Sequence, residues 1–191
     1  MSKKLSEMTL HELWQLFPIR LTEHRDCWKE WYLDEERLLR NQLTNGEKIS
    51  HIGSTAIPCV WAKPIVDILV EVPAECDLSD YAKLIINAGY LCMSQSARRM
   101  SFNKGYTESG FAERVFHLHL RYAGDNDEVY FRDYLIANPD VAKEYEKLKL
   151  ALWKEYEHDR DAYTEAKADF VKKYTEKAIQ EKHFIVSWKK I

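Results

Sequence analysis

Three short stretches of this chain carry side chains whose types and spacing could do chemistry. The first is His51-Ile-Gly-Ser-Thr-Ala-Ile-Pro58. Gly53 would let a phosphate approach the backbone there. The hydroxyls of Ser54 and Thr55 and the free N–H groups of a turn could bond it. The second is Lys63-Pro-Ile-Val-Asp-Ile-Leu-Val70, in which Asp67 leaves the polar face of a strand. A carboxylate beside such a turn could bind Mg²⁺, which would in turn bind phosphates. The third is Val115 to Arg121, where His117 and His119 alternate with Phe116, Leu118 and Leu120. At about 3.3 Å per strand residue the two imidazoles sit roughly 6.6 Å apart on one face. Imidazole suits Zn²⁺, Fe or Ni better than Mg²⁺. Asp67, His117 and His119, joined by His51, could therefore form a divalent-metal site, an acid–base pair or an anion pocket. The bland alternative is an ordinary turn beside an edge aspartate, with hydrogen-bonded structural histidines. Lys63, Lys104, Arg98, Arg99 and Arg121 are candidate phosphate partners.

Strands must position these groups. Val66, Ile68, Val70 and Val72 alternate with Ile65, Asp67, Leu69 and Glu71, the signature of a half-buried strand. Lys48 to Gly53, Tyr90 to Gln95, Arg99 to Lys104 and Val115 to Arg121 read as further strands. Ser79 to Asn87 reads as a helix capped by Ser79 and stopped by Gly89. Upstream, Thr9 with Glu12 forms a capping box for a short helix, and a longer one is predicted over Cys27 to Leu43. Downstream, the chain reads as helical from Tyr130, restarting at Asn138-Pro139. Past Asp161 the pattern predicts one helix carrying Tyr163, Ala166, Phe170 and Tyr174. Arg132-Asp133 and Glu165-Lys167 lie on these helices and read more readily as ion pairs docking them than as groups closing a cleft. Helices, then a strand-rich middle, then helices make an α+β chain.

Composition narrows the partners. The 191 residues are 46% hydrophobic, enough for a real core, and the formal net charge of −3 argues against a general nucleic-acid surface. Cys27, Cys59, Cys76 and Cys92 form no CxxC pair and match no zinc spacing. The opening ten residues lack the apolar run of a signal peptide, and no segment approaches the 18 apolar residues of a membrane span. The expectation is a cytoplasmic protein with free thiols. The many aromatic residues of the C-terminal helices could serve an internal core or a homodimer.

Several blocks together resemble the GrpB family. They are Leu16-Phe-Pro-Ile19, His51 to Val70, Phe102-Asn-Lys-Gly-Tyr106, Gly110 to Leu120, Tyr130-Phe-Arg-Asp-Tyr-Leu135 and Tyr163 to Phe170, all in the family's order. The resemblance implies a fold similar to nucleotidyltransferases of the polymerase-β type. In that superfamily a Gly-Ser pair leads into a strand bearing two carboxylates two residues apart, with a third on a later strand. They hold metal ions and a nucleoside triphosphate for transfer to an acceptor. GrpB-like domains also occur fused to dephospho-CoA kinase. This chain departs from the pattern at the carboxylates. Ile65 and Leu69 flank Asp67, Glu71 lies about 13 Å along the strand, and the later strand offers His117 and His119 instead.

The resulting expectation is one GrpB-like domain over residues 1–191: N-terminal helices to about residue 45, a strand-rich core over 46–125, and a helical part over 126–191. A nucleotidyltransferase-like mixed sheet carries helices on its apolar face and an open polar cleft on the other. Gly53, Ser54, Thr55, Lys63 and Lys104 bind a nucleotide or other phosphate; the matched blocks favour those two lysines. Asp67, His117 and His119 are the catalytic and metal-binding set, with Mg²⁺ or Mn²⁺, or else Zn²⁺, as cofactor. The reaction is nucleotidyl transfer to an acceptor left open. The alternatives are a degenerate nucleotide- or CoA-binding module, or a different metal-dependent enzyme built on Asp67 with His117 and His119. The expected polar cleft requires Asp67 and His119 to share a sheet face, within about 12 Å.

Overall fold

A computed structural model describes residues 3–188, with side chains described through residue 182. The N-terminal helices are α1 (Leu10–Leu16) and α2 (Cys27–Arg40). Strand β1 (Lys48–Ile52), a 3-10 turn (Ser54–Ala56) and β2 (Val66–Val72) follow. Helix α3 (Leu78–Asn87) leads to β3 (Leu91–Gln95), β4 (Arg99–Thr107) and β5 (Gly110–Tyr122). Helices α4 (Asp127–Ala137), α5 (Pro139–Glu155), α6 (Arg160–Glu165) and α7 (Ala168–Trp188) complete the chain. No helix among the described residues is long and apolar enough to cross a membrane.

The five strands form one mixed sheet in the order β1-β2-β5-β4-β3. β2 and β5 run parallel at its centre, and every other neighbouring pair is antiparallel. A parallel pair needs a long crossover; here α3, β3 and β4 provide it. Strand alternation sorts the residues to two faces. Val66, Ile68, Val70 and Val72 join Phe116, Leu118 and Leu120 on one face, packed against Trp28 and Leu39 of α2 and Tyr81 and Ile85 of α3. Fully burying each large aliphatic or aromatic side chain is worth roughly 1.5–3 kcal/mol. This is the apolar, helix-covered face that the alternation predicts.

The opposite face is not left open. α4, α5 and α7 share a second core of Phe131, Tyr134, Leu135, Tyr145 and Tyr174, which grips Ile57 and Val60. Together with α6 they roof part of the polar face. Arg132 fastens α4 to the sheet: its guanidinium donates to the His51 carbonyl at 2.5 Å, whereas its ion pair with Asp133 lies exposed within α4 and does not dock the helix as expected.

Some boundaries differ from the sequence reading. Asp77, not Ser79, caps α3, accepting from the Ser79 N–H at 2.8 Å. β4 and β5 extend past their apolar stretches to a turn between Thr107 and Gly110. The expected helix through Tyr163 and Tyr174 breaks at Ala166–Lys167 into α6 and α7. The helical period alone cannot show that break, because the same spacing fits a continuous helix.

Lys104 corrects an expectation. Its register partner is Phe116, so it lies on the helix-covered face. Its ammonium donates to Glu35 at 2.7 Å and to the Ala88 carbonyl at 3.1 Å, over the Tyr90 ring. It is a core ion pair, away from the polar face, and does not meet a phosphate there. Breaking such a pair leaves a buried charge unpaired. Lys104→Ala should therefore lower stability in urea unfolding by about 3 kcal/mol, while leaving any binding of phosphate compounds at the polar face unchanged.

Candidate functional site

The parallel register of β2 with β5 builds the site. Asp67 lies beside His117, and Leu69 beside His119. Asp67 Oδ1 is 3.4 Å from His117 Nδ1 and 3.7 Å from His119 Nε2. The three side chains share one face, as expected. Burial pushes the Asp67 carboxyl up, but the two imidazoles, His117 before His119, outweigh it and hold the group far below the usual carboxylate range. Asp67 is ionised at any physiological pH.

Gly53 is fixed by the same carboxylate. Its register neighbour Ile52 pairs with Asp67, so the chain turns directly across the aspartate. Gly53 has φ of +71°, and a Cβ there would overlap Asp67 Oδ2. Only glycine permits both the conformation and the approach. Ser54 then opens the 3-10 turn, within hydrogen-bonding reach of Tyr145, whose hydroxyl burial pushes up to about 12.

Thr55 and His51 depart from expectation. Thr55 is buried, and its hydroxyl donates to the Ile65 carbonyl at 3.2 Å, so it accepts from His51 Nε2 at 3.0 Å. That hydroxyl braces the turn. His51 pairs in register with Ile68, which places it on the helix side, stacked on Tyr32 at 4.8 Å. Burial lowers its pKa to about 4, so it stays neutral and outside the cluster. Arg99 and Arg121, other phosphate candidates, are taken up by Asp125 in the loop entering α4 and by Glu128 in the first turn of α4. Arg98 lies over the Tyr122 ring.

A cavity of about 740 Å³ lies between this face and the C-terminal helices. Asp67, His117 and His119 form one wall, and Lys63, Lys149 and Lys167 line it as well. This size suits small-molecule ligands. Lys63 and Lys167 approach the same Tyr163 ring, at 5.3 and 4.0 Å from its centroid. Lys149 lies 4.8 Å from the Tyr145 centroid and donates to the Trp61 carbonyl. Burial, with Lys167 and Arg160 nearby, lowers Lys63 to about 7. Burial lowers Lys149 to about 7 and Lys167 to about 8. Asp67 pulls Lys63 and Lys167 the other way, and Glu146 does so for Lys149. These amines are short of negative charge.

Lys149 and Lys167 join the cavity beyond the lysines that the sequence motifs point to. Lys149 follows Tyr145 by four residues, on the buried face of α5, and a lysine on such a face was the legible signal. Lys167 does not serve as the helix-docking partner expected from its spacing to Glu165. The break between α6 and α7 turns it toward the cavity instead.

The metal expectation meets an obstacle. Both His117 nitrogens are engaged, Nδ1 by Asp67 and Nε2 by the Tyr106 hydroxyl at 2.7 Å. Among the described residues, no three His, Cys, Asp or Glu side chains are placed to hold a metal ion. Asp67, His117 and His119 in this arrangement do not fit a three-ligand centre.

A family model described as GrpB protein matches residues 18–177. The chain is 39% identical over 160 residues to the glutamate-rich protein GrpB of Alkalihalophilus pseudofirmus, covering 79% of this chain and 90% of that one. The crystal structure of conserved protein GrpB from Enterococcus faecalis superposes with a TM-score of 0.72 at 29% identity, covering 85% of this chain and 98% of that one. The Cid1 poly(U) polymerase, in a structure with MgGTP bound, superposes with a TM-score of 0.52 at 12% identity. That match covers 76% of this chain and 46% of the polymerase, and the likeness is one of fold, nucleotidyltransferase-like as the sequence resemblance implied.

Gly53→Ala should destabilise the protein by about 2–4 kcal/mol, since strain at positive φ and a clash add. Combining it with Asp67→Ala should recover part of that loss in a double-mutant cycle, because the clash goes and the strain stays. The lysines set a pH dependence. Lys63 is lowered from 10.5 to about 7, so between those values the unfolded chain binds more protons and stability rises with pH. The melting temperature of the protein alone should climb between pH 7 and about 9.5, and Lys63→Met should make the climb shallower, Lys149 and Lys167 supplying the remainder.

Proposed function

The chain belongs to the GrpB family, and on that premise we propose that its cavity binds a nucleotide or another phosphate-bearing ligand. The observation that carries this reading is the gathering of three desolvated amines, Lys149 buried and Lys63 and Lys167 half-buried, in a cavity shared with Asp67. Desolvated ammonium groups are costly without an anion. A phosphate supplies several oxygens for charge-assisted hydrogen bonds, and binding one would restore the amines' protons. The Gly53-Ser54 turn adds a close backbone approach on the sheet side. The polymerase that shares the fold was crystallised with MgGTP, a ligand of the proposed class.

Nucleotidyl transfer is a second reading, favoured by His119 beside an ionised Asp67 at 3.7 Å. An acceptor hydroxyl would pass its proton to His119 while its oxygen attacks the α-phosphorus. Pyrophosphate would leave toward the lysines. The lone carboxylate weighs against this reading, since two-metal chemistry needs closely spaced anionic ligands.

A thermal-shift screen of ATP, CTP, GTP, UTP and CoA, with and without Mg²⁺, Mn²⁺ or Zn²⁺, tests these readings by linkage. The expected outcome is stabilisation by at least one phosphate compound without added metal. Lys167→Ala should weaken that binding by about tenfold or more, and the affinity should fall as pH rises from 7 to 9, since binding takes up protons. A shift that needs Mg²⁺ and vanishes in Asp67→Ala would favour transfer. Zn²⁺ stabilisation lost in His119→Ala would favour a metal enzyme. Indifference to every phosphate compound would sink the binding reading.

A further inference from the structure

Tyr106 reaches the site by a local irregularity. The β4–β5 register shifts between Lys104 and Tyr106. The residue between them, Gly105, has φ of +90°, and a Cβ there would strike the Arg114 carbonyl. A bulge of this kind re-aims the side chain that follows it. Lys104 faces α2, while Tyr106 packs on His117 with ring centroids 5.8 Å apart and planes 17° apart.

The direction of each hydrogen bond then follows from what its donor can do. Arg160, at the start of α6, places its guanidinium 3.1 Å from the Tyr106 hydroxyl. A guanidinium only donates, so the hydroxyl oxygen accepts. That oxygen could still accept a second bond, so Asp67 decides: an ionised carboxylate only accepts, and with it 3.4 Å from Nδ1 the neutral ring offers its Nε2 lone pair to the hydroxyl hydrogen at 2.7 Å. The ring proton therefore sits on Nδ1, which faces Asp67 Oδ1 at 3.4 Å. Burial keeps the Tyr106 hydroxyl and the His117 ring in their neutral forms, in agreement with this assignment.

We propose that Tyr106 and Arg160 are positioning residues: they hold His117 as a fixed Nδ1–H donor to Asp67, so that His119 is the imidazole that meets a bound ligand. His117 thereby orients the carboxylate, as the partner of a functional group often does in other sites. The consequence for ligand binding rests on the phosphate reading above; the tautomer assignment stands apart from it.

The test is a long-range ¹⁵N–¹H correlation spectrum of histidine side chains in the full-length protein, with His117 assigned through His117→Gln. The expected result is a protonated Nδ1 and an unprotonated Nε2 at His117. Tyr106→Phe keeps the ring but removes the hydroxyl, and should move both nitrogens toward a tautomer average. Arg160→Met should do so in part. Phe17→Leu disturbs the ring packed 4.8 Å from Tyr106 but leaves the hydroxyl, and should not move them. A wild-type His117 protonated at Nε2, or a Tyr106→Phe spectrum identical to wild type, overturns the proposal. Calorimetry with inorganic triphosphate separates the two readings. Binding about tenfold weaker in Tyr106→Phe supports both. A tautomer change with no triphosphate binding to either protein retires the phosphate reading and keeps the positioning role. Equal binding with an unchanged tautomer does the reverse.

Discussion

The pairing of β2 with β5 is the constraint on which the rest depends. Parallel and in register, it sets Asp67 against His117 and one step from His119. A carboxylate enclosed there is tolerable because two imidazoles stand beside it. The same carboxylate leaves room only for glycine at position 53. One backbone pairing thus determines a charge, its partners and the shape of the neighbouring turn.

The C-terminal helices add what the sheet lacks. Their aromatic core grips the loop after the 3-10 turn. In doing so it places Lys149 and Lys167 in the cavity that Asp67 also lines. Burial lowers these amines toward neutrality. The site has fewer carboxylates than two-metal chemistry uses and more amines than an ordinary cleft.

Lys104 and His51 show how narrow the margin is between a site residue and a core residue. Each lies in a matched block close to the cluster, and each faces the other side of the sheet. For His51 the register with Ile68 decides the matter. For Lys104 the register with Phe116 does, and Tyr106 escapes the same fate through the shift at Gly105. A single register step reverses a side chain's face.

By itself the sequence determined the strands, their alternation and the cluster on one face. Period two in Val66 to Val72 and Phe116 to Leu120 places the apolar set against α2 and α3, and it leaves Asp67, His117 and His119 together on the far side. The Thr9–Glu12 capping box was equally legible, since its geometry is local. Tertiary structure alone decided the rest. The burial of Lys149, the break that turns Lys167 inward, and the bulge that delivers Tyr106 to His117 all depend on contacts between segments distant in the chain. Local periodicity says which face a residue shares with its neighbours along one element. It cannot say which other element will cover that face, and it is the covering element that turns a lysine on a helix into a buried charge.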